Sequence, residues 1–355
     1  MNPSRPRARS RTGRPDLDES LAEIVSQISP DANADQITEI LATGIRLGLD
    51  DIDRLDLKIT NAALKEMRAA FLTFAAYEGV SKVTIFGSAR TLPEDPLYEQ
   101  TRNLASAMAD EGWMVITGAG PGIMQAGMEG AGRQQSIGVS IRLPFESEAN
   151  EIIAGDDKLI SMKYFFTRKL MLIKESKGFV CMPGGFGTLD EMFEVLTLQQ
   201  TGKAEPAPIV LLDFPGDGYW RALADFVNGH LVPRGLVSAD DLDRVCITDD
   251  VAVARRELVG FYRNYDSLRW VGRRLVLRLR ALPSDAELAD LNERFGHLLA
   301  EGSIEVSGPL PPEVADNDAL DMVRLAMTFN PWKVGGLFHL IRACNDLAAA
   351  PTVSV

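Results

Sequence analysis

Two stretches of the sequence set glycines where an apolar run meets a helical pattern, and each could hold an anion. The first is TGAGPGIMQAGMEGA, Thr117 to Ala131. The second is FVCMPGGFGTLDEMFEVLTLQQ, Phe179 to Gln200. Glycine costs backbone entropy, so a cluster serves a tight turn or a close approach of backbone to a ligand. Where a strand opens into a helix, free N–H groups and the helix dipole favour negative charge. In the first loop Gly118, Gly120 and Gly122 do not complete a dinucleotide fingerprint. Ile123 stands where the third glycine belongs, and no acidic residue closes a second strand about 20 residues on. Nor is there the Gly-Lys-Ser/Thr of a P-loop. In the second loop Gly184, Gly185 and Gly187 could present successive N–H groups to a phosphate, with Thr188 adding a hydroxyl. Two such loops on one sheet edge could hold a whole nucleotide. The same spacing allows a plainer role, because Thr188 and Glu191 form a T-x-x-E capping box that would tie both side chains to the helix's own backbone. Between the loops, Arg168 and Lys169 interrupt an apolar pattern of Phe165, Phe166, Leu170 and Ile173. Spacing alone leaves open a charged site or a solvated stripe with surface ion pairs.

Positioning such loops takes a scaffold, and the chain alternates accordingly. Strands are predicted at 82–88, 113–120, 137–143, 178–182, 208–213 and 244–248. Helices are predicted at 97–111, 121–133, 162–176, 188–201, 218–229 and 250–264, with a polar loop from Pro144 to Asp157. The pattern implies an α/β fold, a Rossmann-like doubly wound and mostly parallel sheet. Right-handed crossovers put the loops after the strands on one edge, where ligands bind. This nucleotide-binding domain is expected over 61–265. Residues 18–60 read as a helical segment, broken near SPDANAD. Residues 266–355 read as an accessory α/β unit. Within it, 272–308 suggests a small βαβ whose helix opens on Ser284 with Glu287 three residues on, and a C-terminal helix follows over 331–348. Residues 1–17 are Arg-rich with Pro, Ser and Gly and have no apolar h-region, so they read as a disordered basic tail rather than a signal peptide. A nucleic-acid or membrane arm is the sharper alternative for this tail.

The totals set limits. The 355 residues are 46% hydrophobic and carry a net charge of -13. That suits about two domains and argues against a general grip on nucleic acid, which needs clustered Lys and Arg. Local donors could still bind a small anion. Cys181, Cys246 and Cys344 are odd in number and fit no zinc spacing, so a reducing cytoplasm is the expected home. No apolar run approaches the ~18 residues of a membrane helix.

Together these segments resemble the LOG family, the "lonely guy" phosphoribohydrolases long labelled possible lysine decarboxylases. The family pattern P-G-G-x-G-T-x-x-E is met without a gap by Pro183, Gly184, Gly185, Gly187, Thr188 and Glu191. Arg168 and Lys169 match an Arg-Lys pair on the preceding helix. FGSAR, with Gly87 and Ser88, and TGAGPGIMQA match the loops after the first two strands. The resemblance spans about 80–260 and leaves out the N-terminal helices and 272–308, as in a longer bacterial-type member. It implies a Rossmann-like homodimer with its active site near the subunit interface and no metal or redox cofactor. The implied reaction is hydrolysis of the N-glycosidic bond of a nucleoside 5′-monophosphate, giving free base and ribose 5-phosphate. In cytokinin-activating members the base is an N6-modified adenine. Arg168 and Glu191 would be the catalytic pair. Gly87, Ser88, Gly118, Gly120, Gly122, Lys169, Gly184, Gly185, Gly187 and Thr188 would surround the substrate. On this basis the glycines face the phosphate and Glu191 faces the ribose. Glu191 would lie in the first helical turn, kept ionised by the dipole and by Arg168. Pyridoxal-phosphate decarboxylation fits poorly. Many such enzymes carry a His directly before the Schiff-base Lys, and His230, His297 and His339 each precede Leu. The alternative kept is a nucleotide-binding sensor or carrier that cleaves nothing.

Overall fold

A computed structural model describes residues 11–28, 33–143, 149–238 and 240–352. Three expected features lie partly outside the described residues: the basic tail (1–10), the break between the first helices (29–32) and the polar loop (144–148). The chain divides into two compact units, Met1–Arg68 and Ala69–Val355. In the first, α1 (Pro15–Ile28) and α2 (Ala34–Leu49) bury Leu21, Val25 and Ala42 against one another. Then follows α3 (Arg54–Ala75).

The second unit holds the expected α/β sheet. Its strands are β1 (Lys82–Phe86), β2 (Met114–Thr117), β3 (Ser136–Ile141), β4 (Leu159–Met162), β5 (Gly178–Cys181), β6 (Ile209–Leu212) and β7 (Val245–Thr248). Its helices are α4 (Pro96–Asp110), α5 (Ile123–Ala131), α6 (Phe165–Lys174), α7 (Phe186–Gln200), α8 (Tyr219–Phe226) and α9 (Val251–Gly260). The spatial order is β4-β3-β2-β1-β5-β6-β7, with every pair parallel. Four central strands are buried throughout, as expected of a sheet covered on both faces. Val83 and Ile85 pack with Leu104 and Met108 of α4, Ile123 of α5 and Leu258 of α9. Thr84 points the other way, and its hydroxyl donates to Leu172 O of α6 at 2.8 Å. The chain builds outward from β1 in one direction and resumes at β5 in the other. That reversal opens a crevice at the C-terminal ends of the strands.

Strand β4 lies just past the segment expected as a polar loop. It is short and at the edge, and Ser161 interrupts its apolar run, so the period-2 signal is weak.

The accessory region contains β8 (Tyr265–Val271), β9 (Arg274–Leu279), α10 (Asp285–Phe295), β10 (Leu299–Ser307), α11 (Pro311–Ala315), β11 (Val323–Phe329) and α12 (Val334–Asn345). Its sheet pairs each strand antiparallel with its neighbour, and the expected βαβ is present in split form, as β9, α10 and β10 with one strand inserted. The sheet order is β10-β11-β9-β8. Strands β9 and β10 do run the same way, but β11 lies between them and antiparallel to both. A tight turn at Gly272 (φ 62) joins β8 to β9, a hairpin the sequence reading passed over. The capping box of Ser284 and Glu287 is present at the start of α10.

The first glycine loop is welded to the loop after β1. Gly122 caps α5 with φ 69, and a Cβ there would stand 2.4 Å from the backbone oxygen of Ser88. Gly187, in the first turn of α7, meets nothing within 4 Å. Gly122→Ala is therefore expected to destabilise by at least ~2 kcal/mol, from left-handed strain plus a backbone clash. Gly187→Ala should be neutral or stabilise by up to ~1 kcal/mol through helix propensity. Urea midpoints at unchanged slope measure both. A Gly122→Ala midpoint equal to wild type would contradict the packing.

Candidate active site

Loops after β1, β2 and β5 meet at the crevice, because β1 pairs with both β2 and β5. Gly87 lets α5 approach the end of β1, since a Cβ there would stand 2.3 Å from Ile123 Cγ2. Ile123 N donates to Ser88 O at 3.0 Å. Gly120 lies beside the Met124 side chain. Between them Ala119 takes a left-handed backbone (φ 59). It is held by Asn150, whose N donates to Ala119 O (2.9 Å) and whose Nδ2 donates to Gly120 O (3.1 Å).

Arg168 ties these loops to the rest of the site. It lies in the first turn of α6 and is only 8% exposed. Its Nε donates to Val139 O of β3 at 3.0 Å. Its guanidinium lies against Gly118, where a Cβ would stand 2.0 Å from Nη2. Gly118 is thus a glycine for the sake of Arg168. Nη1 stands 3.4 Å from Glu191 Oε1 on α7. The next residues pair as well: Lys169 Nζ lies 2.7 Å from Asp190 and 2.8 Å from Glu194. Two neighbouring cations on α6 therefore meet three carboxylates on α7, and Lys169 is spent on Asp190 and Glu194.

Glu191 departs from the sequence expectation. Helix α7 begins at Phe186, two residues earlier than predicted, so Glu191 lies in the second turn. The dipole acts mainly within the first turn. Burial pushes the Glu191 carboxyl up, and Arg168 and then Lys169 only partly offset it. Burial also raises the Cys181 thiol at the end of β5, with the Glu191 charge adding to it.

The early helix start also removes the capping-box alternative. Gly185 is the N-cap, with no side-chain cap, and Thr188 is the third helical residue. Thr188 folds back on Gly184, where a Cβ would stand 2.3 Å from its Oγ1. Gly185 has φ -88, and like Gly187 it has nothing within 4 Å of a would-be Cβ. The first N–H groups of α7 precede its first bond, donated by Leu189 N to Gly185 O. This leaves an open, donor-rich helix start beside the pair of buried Arg168 and partly buried Glu191.

Sequence reasoning missed three residues here. Asn150 holds the first loop from within a segment read as linker. Tyr219 Oη donates to Gly184 O at 2.7 Å, gripping the second loop from α8. Asp213, past the end of β6, accepts from Trp220 N (3.3 Å), and burial raises its carboxyl to about 6. Only strand order could have signalled these, since β6 neighbours β5 in space. Among the described residues, no three His, Cys, Asp or Glu side chains stand close enough to share a metal ion. No described helix is long and apolar enough to cross a membrane.

Known proteins share this arrangement of sequence. The model of the family described as "possible lysine decarboxylase" matches residues 122–258. A cytokinin riboside 5′-monophosphate phosphoribohydrolase of Mycobacterium tuberculosis is 31% identical, over 45% of this chain and 84% of that one. One of Mycobacterium marinum is 26% identical, over 46% and 85%. Among solved structures, the molybdenum cofactor carrier protein of Chlamydomonas reinhardtii is 22% identical over 50% of this chain and 94% of that one. Its TM-score of 0.36 is too low to support any argument about ligand. The glycine loop that opens α7 on Glu191, together with 31% identity across most of a relative's length, makes this chain a member of the LOG family.

Proposed function

We propose that the chain hydrolyses the N-glycosidic bond of a nucleoside 5′-monophosphate, AMP-like or a cytokinin riboside monophosphate, to free base and ribose 5-phosphate. The observation that carries this reading is the largely buried Arg168–Glu191 pair beside the open start of α7. The names of the Mycobacterium relatives support the same chemistry. Departure of the base builds positive charge at the anomeric carbon, as in glycoside hydrolysis. An ionised Glu191 stabilises that charge and orients the attacking water. Arg168, anchored by Val139 O, holds Glu191 in place and favours its charged form. The phosphate, held at the glycine loops far from the broken bond, fixes the sugar for attack.

The active form is read as a homodimer. Phe165, Phe166, Leu170, Phe186 and Phe193 stand exposed on α6 and α7, Phe186 at 94%. Such a cluster marks an interaction surface, and a second copy covering it would lie beside the site. Sedimentation should give twice the chain mass, and Phe166→Glu with Phe193→Glu should give the single mass. A wild-type monomer at micromolar concentration contradicts this part of the proposal.

The acid–base behaviour of the pair follows from its burial. Activity needs Glu191 ionised, so kcat/KM should fall as pH drops through a pKa above the ordinary glutamate value of 4.5. Glu191→Gln should abolish turnover yet not lower Tm at pH 7. A carboxyl raised in the fold costs stability progressively as pH rises from its ordinary value of 4.5 to its folded pKa, the cost is complete above that, and glutamine removes it. Arg168→Ala should slow turnover by at least ~100-fold and move the acid limb further up, since the main offset to burial is gone. Normal turnover in a folded Glu191→Gln protein, measured by release of base and ribose 5-phosphate, would end the catalytic role of Glu191, and a wild type that binds the nucleotide without releasing either product would favour the carrier alternative.

Phosphate recognition is tested by one matched pair of substrates. One charge-assisted contact contributes roughly 1.5–3 kcal/mol, and the loop offers more than one donor. Preference for the 5′-monophosphate over its nucleoside should exceed ~100-fold in kcat/KM. Gly185→Val should erase most of it. Because Gly185 has an ordinary φ and open space around it, valine fits the free protein, and its effect is to block approach to the backbone. Equal wild-type rates on both substrates would end the monophosphate reading.

A further inference from the structure

The Gly184–Gly185 peptide has a choice of orientation that most peptides lack. Glycine on both sides removes the Cβ atoms that resist turning of the peptide plane. In a trans peptide the carbonyl and the following N–H point in opposite directions, and among the described residues no peptide bond is cis. Whatever holds the Gly184 carbonyl therefore aims the Gly185 N–H.

Tyr219 holds it. Its Oη donates to Gly184 O at 2.7 Å. The ring stands edge-on to Trp220, with centroids 4.8 Å apart and planes at 89°. Trp220 is fully buried, and its backbone N–H donates to Asp213 Oδ2 at 3.3 Å. Gly218, left-handed at φ 74, turns the chain so that Tyr219 begins α8 at this spot. The hydroxyl thus rests on the core, while the peptide it grips has no side chain of its own. With the carbonyl drawn toward Tyr219, the Gly185 N–H faces away from it, at the open start of α7 where Phe186 and Gly187 also present N–H groups.

We propose that Tyr219 is a positioning residue that pins the Gly184–Gly185 peptide with its N–H toward the bound phosphate. Unpinned, the peptide turns and sets a carbonyl oxygen against the anion, exchanging an attraction for a repulsion. This rests on reading the site as one for a 5′-monophosphate. Nothing in the P-G-G-x-G-T-x-x-E pattern contains this residue, because Tyr219 comes from the next strand–helix connection.

The test is Tyr219→Phe, which keeps the ring on Trp220 and removes the hydroxyl. kcat/KM for the monophosphate should fall about tenfold, the effect of one hydrogen bond, and by more than the rate on bare nucleoside falls. The calorimetric Kd for ribose 5-phosphate should weaken by the same factor. An unchanged Kd, or an equal loss on nucleoside and monophosphate, overturns the proposal, since a merely structural role moves both substrates alike. Gly185→Pro deletes the N–H itself. It should weaken ribose 5-phosphate binding at least as much, and adding Tyr219→Phe should cost nothing further. Additive losses overturn the pinning. If Tyr219→Phe fails to fold, Gly185→Pro decides alone, and an undiminished Kd refutes the donor role. A wild-type protein that neither binds ribose 5-phosphate nor cleaves the monophosphate brings down the functional reading. One that does both while Tyr219→Phe matches it brings down only the role of Tyr219.

Discussion

Burial of one guanidinium organises the site. Arg168 comes from α6, leans on a β3 carbonyl, crosses the loop after β2 and meets a carboxylate on α7. A cation taken out of water must be compensated on every side, so four elements converge on it. Gly118 has no side chain because the guanidinium lies where one would be. The ion pair is therefore a geometric constraint more than a source of stability. Desolvation of such pairs offsets most of their attraction.

A second buried Arg–Glu assembly in the chain shows what the first lacks. Glu313, in the antiparallel unit, accepts from Arg278, Arg324 and the N–H of Leu310. Burial alone would raise its carboxyl, but these hydrogen bonds outweigh it and hold the group below its ordinary value. Glu191 is partly buried with one guanidinium at 3.4 Å, beyond good hydrogen-bond length, and is raised. The saturated assembly braces β9, β11 and α11. The undersaturated one keeps carboxylate capacity for something else, as expected where function rather than folding sets the arrangement.

The same economy appears in the glycines. Gly87, Gly118, Gly122 and Gly184 are crowded by neighbouring atoms, so they serve packing within the site. Gly185 and Gly187 are crowded by nothing. A motif that looks uniform in sequence divides into glycines required by the protein's own atoms and glycines left open toward solvent. The second set has a use only if something else approaches the backbone.

By itself the sequence determined the alternation of strand and helix, the placing of both glycine loops at strand ends, and the candidate pair Arg168 and Glu191. The alternation and the loops are local properties, written in periodicity and in turn chemistry, whereas the pair followed from the resemblance to the family pattern. Tertiary structure decided where α7 begins, at Phe186 with Gly185 as its N-cap rather than at the start that the T-x-x-E spacing suggests. It decided the direction in which the Glu191 carboxyl shifts, since burial is a property of the surroundings and overrides the dipole argument. It decided that Lys169 is spent on Asp190 and Glu194, that β11 separates β9 from β10, and that Tyr219 reaches Gly184 across 35 residues. The last three are contacts between segments distant in the chain, and spacing along one segment has no term for them.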